Sequence, residues 1–131
     1  KKESDKDKEK EVKPLIKKIK SVLGDKVKDV KPSNRLSDSP SCIVADENDP
    51  TAQMQEIMRA TGQTGMPEIK PILEINPDHD IIKKLVSMRK GKFFDDSVLL
   101  LYEQALLQEG VKLENPAGFV KRLNKLMEKS L

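Results

Sequence analysis

The 131 residues are enough for one domain with a buried core and too few for two ordinary domains. Charged residues make up 36% of the chain and almost cancel, to a formal net charge of +3, which argues against the concentrated positive field of a nucleic-acid-binding protein. No apolar stretch resembles a signal peptide or approaches the roughly 20 residues that span a bilayer. The single cysteine, Cys42, excludes an internal disulfide. We therefore expect a soluble cytoplasmic protein that partners neither a membrane nor a nucleic acid.

The chain starts with a charged segment, residues 1–11, in which lysine alternates with acidic residues and leaves no apolar face. This composition predicts a disordered linker ahead of a domain at residues 12–131. The domain begins with an amphipathic helix that Gly24 ends in a left-handed cap. We interpret Lys13, Lys17 and Lys20 as its solvated face, with a phosphate-binding surface as the alternative. The apolar residues recur every three or four positions: Val12, Leu15, Ile16, Ile19, Val22 and Leu23.

Three strand-like segments follow, at residues 27–30, 42–45 and 68–76. The third contains Pro71, which cannot donate to a strand ladder and so predicts an edge position. These short segments alternate with helical patterns. Together they predict an α+β fold in which a small three-stranded sheet packs with helices.

Residues 51–62, TAQMQEIMRATG, form a predicted helix that Asp49 and Pro50 start. Its large apolar residues are Met54, Ile57 and Met58, which make one narrow stripe. By itself, such a stripe is more commonly part of a core than a binding surface.

The next predicted helix begins at the sequence NPDHD and ends near Gly91, with Ile81, Ile82, Leu85 and Val86 as its apolar face. Asn76 or Asp78 is expected to cap it. The only histidine, His79, lies in its first turn, where a local hydrogen bond is a more common role than catalysis or metal binding. Ser87 and Cys42 could serve as nucleophiles, but no base and orienting acid accompany them in the sequence.

The predicted helix at residues 93–109 carries two apolar surfaces, and a small domain usually covers only one. A final helix begins at Asn115 and Pro116. A helical hairpin with surplus apolar surface favours a symmetric four-helix bundle between two chains, although the second surface could also pack within one subunit. The first surface of the 93–109 helix is Phe94, Val98, Leu99, Leu101, Tyr102, Ala105 and Leu106, the second is Phe93, Leu100 and Leu107, and the final helix presents Phe119, Leu123, Leu126 and Met127, with Val120 beside them.

Motifs for cofactor chemistry are missing. The sequence has no phosphate-binding GxxxxGKS/T loop, no GxGxxG after a strand, and no cysteine pair or HExxH helix that could hold a metal. On this basis we expect a chain that is not an enzyme and that has no cofactor or metal of its own. One alternative function is a small dimeric adaptor that binds a folded protein or a nucleic acid through a lysine-rich face.

The runs RLSDSPSCIVADEND, ILEINPDHDIIKKL, LLYEQALLQEG and LENPAGFVKRLNKL occur in this order from residue 35 to residue 126. In order and spacing they resemble the C-terminal domain of the ninety-kilodalton heat-shock chaperone family, closest to its bacterial HtpG branch. The chain ends in MEKSL and lacks the acidic Met-Glu-Glu-Val-Asp tail of the cytosolic eukaryotic members, which again favours the bacterial branch.

The resemblance implies the dimerisation module of an ATP-dependent chaperone. ATP and Mg²⁺ would belong to a separate N-terminal domain, and the charged start of this chain would be the trimmed connection to a middle domain. Residues 51–62 match a helix that offers apolar side chains to unfolded client proteins, which implies client-binding roles for Met54, Ile57 and Met58. For the homodimer interface we predict Val98, Leu101, Tyr102, Ala105, Leu106, Phe119, Leu123, Leu126 and Met127; which surface of the 93–109 helix faces the partner stays open.

Overall fold

A computed structural model describes residues 3–33, 38–62 and 69–131, with side chains from residue 10 onward. The predicted α+β fold is confirmed: a three-stranded sheet packs with five α-helices. The elements in chain order are α1 (Glu3–Leu23), a 3₁₀ turn (Gly24–Lys26), β1 (Asp29–Pro32), β2 (Ser41–Val44), α2 (Ala52–Ala60), β3 (Ile72–Ile75), α3 (Asp80–Ser87), α4 (Lys92–Gln108) and α5 (Pro116–Ser130).

Helix α1 already begins at Glu3, so residues 3–11 are helical where the sequence predicts a disordered linker. Opposite charges three residues apart in this segment favour helix formation, which the composition argument overlooked. The boundary between linker and domain at residue 12 remains a prediction. Pro14 is accommodated within the helix, although its ring removes one backbone donor. Gly24 follows the last residue with φ of 54°, in agreement with the predicted left-handed cap.

The sheet has the strand order β1-β3-β2, with β1 parallel and β2 antiparallel to β3. The prediction that Pro71 places the third strand at an edge is wrong, because β3 is the central strand. Pro71 precedes the first residue of β3, so its missing N–H falls outside the ladder. Its carbonyl oxygen accepts from the Lys28 amide at 2.7 Å, which extends the pairing with the β1 side.

The core lies between one face of the sheet and helices α1, α3 and α4. Leu73, at the centre of β3, is paired in register with Val30 of β1 and Ile43 of β2, and all three are buried. The buried Ser41 hydroxyl donates to the Leu101 carbonyl at 3.2 Å and links β2 to α4. The predicted apolar face of α1 is confirmed, with Val12, Leu15, Ile19 and Leu23 buried and Ile16 and Val22 packed beside them.

The NPDHD sequence forms the turn between β3 and α3. The buried Asn76 accepts from the Asp78 amide at 3.0 Å, while its own side-chain amide donates to the Ser39 carbonyl at 3.3 Å. His79 itself caps α3, since its Nδ1 accepts from the Ile81 amide at 3.1 Å. The expectation that Asn76 or Asp78 caps the helix is therefore corrected, while the expected local hydrogen bond of His79 is present. Gly91 lies beyond the end of α3 at Ser87 and serves as the N-cap of α4.

Candidate protein-binding surfaces

Helix α2 is attached at its start by local hydrogen bonds and an ion-pair cluster. Thr51, rather than the predicted Asp49, is the N-cap, and its hydroxyl accepts from the Met54 amide at 3.2 Å. Just before it, the Lys28 ammonium bridges Asp46 at 2.8 Å and Asp49 at 3.1 Å. Hydrogen bonds to these two carboxylates raise the pKa of Lys28, and the hydrogen bond from Lys28 lowers the pKa of Asp46. The cluster connects the start of β1 to the segment that leads into α2.

The apolar residues of α2 face outward. Met54 is 50% and Ile57 is 58% exposed, and no residue of the helix is buried. Met58 is half-buried, as are the polar residues Gln55 and Glu56. A helix that packs on a core shows the opposite arrangement, with its apolar stripe covered and its polar residues in water.

The space beneath α2 is a cavity of about 590 Å³ rather than a packed interface. Gln55, Glu56 and Arg59 line it from α2, and Arg59 donates to Glu56 at 2.9 Å. On the opposite side the half-buried Leu99 and Leu106 belong to α4. Gln55, Glu56 and Arg59 therefore face the body of the domain, and Met54 and Ile57 remain open for contact with another molecule.

Helix α4 uses its first apolar surface within the chain. Val98, Leu101 and Ala105, all predicted to contact a second chain, are at most 2% exposed and belong to the core. Tyr102 and Leu106 pack against the same core. Val98, Leu101 and Ala105 are therefore internal and Tyr102 and Leu106 are partly covered, because α4 packs on the sheet and α1 with the wider of its two surfaces. The helical pattern could not distinguish an intramolecular from an intermolecular partner.

Helix α5 has no core to join. It packs along α4, and none of its 15 residues is buried. Val120 is 51% and Met127 is 48% exposed, and on α4 the nearby second surface includes Leu107 at 47%. The other predicted interface residues of this helix, Phe119, Leu123 and Leu126, are half-buried. The hairpin thus leaves apolar side chains of both helices accessible to water.

A charged contact fixes α5 on α4. The Arg122 guanidinium donates to the Glu103 carboxylate through Nε at 3.1 Å and Nη2 at 2.6 Å. Glu103 is 7% exposed, so the paired charges lie between the helices rather than in free solvent. Both donors of the guanidinium bind the same carboxylate oxygen, Glu103 Oε1, and this charge-assisted contact connects α5 to α4. This pair could not be predicted from the sequence, since neither residue is distinguishable there from the many other charged residues of the chain.

The residues considered for catalysis are dispersed. His79 is engaged as a helix cap, Ser87 donates its hydroxyl to the Lys84 carbonyl within α3, and Cys42 lies half-buried in β2. Among the residues that the structure describes, no cluster of His, Cys, Asp or Glu could hold a metal ion. On the lysine-rich face of α1, Lys20 forms an ion pair with Asp29 at 2.8 Å, which lowers the pKa of that carboxyl group. Within the described ranges, no helix has the length and apolar character to cross a membrane.

Comparison with known proteins identifies the family. The model of the family described as Hsp90 protein matches residues 1–131. This chain belongs to the Hsp90 family. The chaperone protein HtpG of Treponema denticola is 57% identical over 120 residues, which are 92% of this chain and 19% of that protein. HtpG of Legionella pneumophila strain Paris is 54% identical over 125 residues, which are 95% of this chain and 20% of that protein. HtpG of Treponema pallidum is 51% identical over 115 residues, which are 88% of this chain and 18% of that protein. The chain spans about a fifth of the length of these relatives.

The family assignment corrects two predictions. The sequence indicated that the chain is not an enzyme and has no cofactor, but its whole length matches the Hsp90 family and its relatives are HtpG chaperones, for which the resemblance implies dependence on ATP. Both predictions are therefore withdrawn. They rested on missing local motifs, whereas a nucleotide site can be assembled from residues that are far apart in the sequence. Membership in a chaperone family, as expected from the resemblance, is confirmed.

Proposed function

We propose that this chain is the C-terminal dimerisation and client-contact module of a cytoplasmic HtpG-like chaperone that assists protein folding. The observation that carries the proposal is the contrast between a complete core and two helices, α2 and α5, without a single buried residue. Apolar side chains held in water by ordered helices favour contact with a further protein. The assignment of this module within the chaperone rests on the motifs described under Sequence analysis.

The proposed dimer interface is the outward surface of the α4–α5 hairpin. It combines the second surface of α4 with the exposed side of α5. This surface replaces the α4 residues that were predicted from the sequence to contact the partner, Val98, Leu101, Tyr102, Ala105 and Leu106. Two such hairpins can pack antiparallel as a four-helix bundle, in which each chain covers the apolar residues of the other. The accessible apolar residues of this surface are Phe93, Leu107, Phe119, Val120, Leu123, Leu126 and Met127, whereas Leu100 of the second surface is only 3% exposed and is covered within the chain.

Dimerisation is tested by placing charge on this surface without touching the core. We expect Val120→Glu with Met127→Glu to produce monomers in sedimentation velocity, because the bundle would have to bury carboxylates that lack a partner. The matched control is Lys121→Glu with Lys125→Glu on the polar side of the same helix, and it should remain dimeric. Circular dichroism establishes that both variants fold. A folded variant that stays dimeric after the first pair of changes would remove the interface assignment.

Helix α2 supplies the proposed client contact. Methionine suits a surface that accepts many sequences, because its flexible and polarisable side chain repacks against different partners. In a dimer, two such helices would act on one client, and a permanent bundle keeps them at high effective concentration. The mechanism proposed for this module is therefore multivalent apolar contact with unfolded or partly folded chains.

Client contact is tested with a reduced and alkylated, permanently unfolded protein that carries a fluorescent label. Met54→Ser with Ile57→Ser should weaken its binding about thirtyfold, because each exposed apolar side chain contributes on the order of 1 kcal/mol to such a contact. The control is Gln53→Ser, which alters an exposed residue of the same helix outside the stripe. Equal affinities for the unchanged chain, the double variant and the control would mean that α2 does not contact clients. The proposed dimer interface would not be contradicted by that result.

A further inference from the structure

A run of positive charge lies where α3 meets α4. Residues 83–92 contain five cationic side chains and no acidic residue, and these cations contribute more than the net charge of +3 carried by the whole chain. The residues outside this segment therefore have a small net negative charge. The five cations are Lys83, Lys84, Arg89, Lys90 and Lys92, and all five are exposed.

These cations differ from the other unpaired cations of the described residues in their density, since five of them lie within ten residues. Lys20, Lys28 and Arg122 each contact a carboxylate within 2.6 to 2.8 Å. No ion pair between described residues includes a cation of residues 83–92. Holding unneutralised like charges together is unfavourable for the isolated chain, and a bound anion would relieve that repulsion.

Two lysines from other helices extend the positive region. The Lys129 ammonium of α5 lies 4.0 Å from the centroid of the Phe93 ring, and the Lys18 ammonium of α1 lies 6.0 Å from that of Phe94. Both rings are in the first turn of α4, directly after Lys92. An aromatic face attracts a cation without neutralising its charge. Residues 83–92 together with Lys18 and Lys129 are called the basic ridge below.

We infer that the basic ridge docks an acidic, extended segment of polypeptide. Carboxylates spaced along an extended chain can pair with several of these cations at once.

A nucleic acid fits the ridge less well. Base stacking requires exposed aromatic faces, but Phe94 is fully buried and Phe93 is half-buried beside Lys129. A longer polyanion would also extend beyond the ridge onto residues that are negative in sum. The inference is independent of the proposed dimer and client surfaces, since it uses none of the residues assigned there except the ring of Phe93.

The probe is a fluorescein-labelled peptide of eight glutamates, titrated with the whole chain and followed by fluorescence anisotropy. We expect binding that weakens as salt rises, and no binding of a neutral glycine–serine octapeptide. Replacing Lys84, Arg89 and Lys90 by Gln should weaken binding about tenfold, from three lost surface ion pairs. The matched control replaces Lys10, Lys13 and Lys17 of α1 by Gln, which removes the same charge from another exposed surface and should change binding less than twofold.

Three results would overturn the inference. Equal losses in the two triple variants would mean that only overall charge matters. Absence of binding at physiological ionic strength would remove the docking role. Tighter binding of a single-stranded oligonucleotide of eight nucleotides, or of vesicles that contain anionic phospholipid, than of the glutamate peptide would assign the ridge to a different class of partner.

Discussion

Helices α4 and α5 are neighbours in the chain and in space, yet they are stabilised in different ways. Six residues of α4 are buried, whereas α5 has none. Helix α4 is stabilised by the core, whereas α5 is stabilised by its packing along α4 and by the ion pair between Arg122 and Glu103. An amphipathic pattern therefore predicts that a helix face is buried, but not whether the same chain or a second chain covers it. For α4 the partner is the same chain, and for α5 we propose a second one.

The largest expected effect is on the α4 side of this comparison. Phe94→Ala removes a fully buried ring and should lower the free energy of unfolding by about 3–5 kcal/mol, from lost burial and the cavity that remains. Urea denaturation followed by circular dichroism measures this change. Met127→Ala on α5 is the control and should have little effect at concentrations where the chain is monomeric. A similar loss in both variants would mean that α5 is part of the core.

The contact between the two helices comes next. Glu103→Gln leaves Arg122 without its carboxylate in a place where these side chains are only 9% and 19% exposed. We expect a loss of roughly 1–3 kcal/mol in stability and weaker dimerisation, because α5 would no longer be held in one orientation. Urea denaturation and sedimentation velocity measure the two effects. Glu128→Gln on the exposed side of α5 serves as the control. If Glu103→Gln dimerised with unchanged affinity, the ion pair would not contribute to the dimer interface.

A cap outside the hairpin gives a smaller effect. His79→Ala removes the acceptor for the Ile81 amide and should cost about 1 kcal/mol in thermal or urea unfolding. His79→Asp retains an acceptor at the N-cap and should recover most of that loss. If aspartate were as destabilising as alanine, His79 would stabilise the domain through packing instead of capping.

The smallest effect concerns the attachment of α2. Because Lys28 lowers the pKa of Asp46, this carboxylate favours the folded state above its ordinary value of 3.8, and the contribution disappears as pH falls through the lowered pKa. Lys28 has a raised pKa, so its contribution is complete below 10.5 and disappears as pH rises through the raised value. Between these limits the attachment should not change with pH. Carboxyl resonances in NMR should show the Asp46 midpoint moving upward in Lys28→Gln, and an unmoved midpoint would contradict the ion pair.

Much of the fold could be predicted from the sequence because its main signals are local. The period of Val12, Leu15 and Ile19 predicts the buried face of α1, and Asn115 before Pro116 predicts the cap of α5, where Asn115 accepts from the Gly118 amide. The central position of β3 could not be predicted. That position depends on pairing between strands that are distant in the sequence. Pro71 indicated an edge strand, but it lies one residue before β3 begins and so does not interrupt the ladder.

The binding surfaces were predictable only in part. Met54 and Ile57 were assigned by resemblance, since their spacing alone favoured the core, and both are exposed in the structure. Val98, Leu101 and Ala105 were predicted to contact a second chain and are buried within this one, because a helical wheel does not show which neighbour covers each face. The basic ridge was hidden by a nearly balanced composition, which averages charge over the chain and conceals its local concentration.

The antiparallel pairing of β2 with β3 brings the two ends of the α2 segment together, because Val44 at the end of β2 is in register with Ile72 at the start of β3. Just before β3 the Pro71 carbonyl accepts from the Lys28 amide, so the end of the segment that enters β3 is also fixed to the β1 side. Ala52 packs against the core, but no residue of α2 is fully buried, so most of its sequence can vary with little effect on the packing below. The domain is thus a natural scaffold for grafting, in which a recognition helix of different specificity could replace α2 while the sheet and the hairpin stay unchanged.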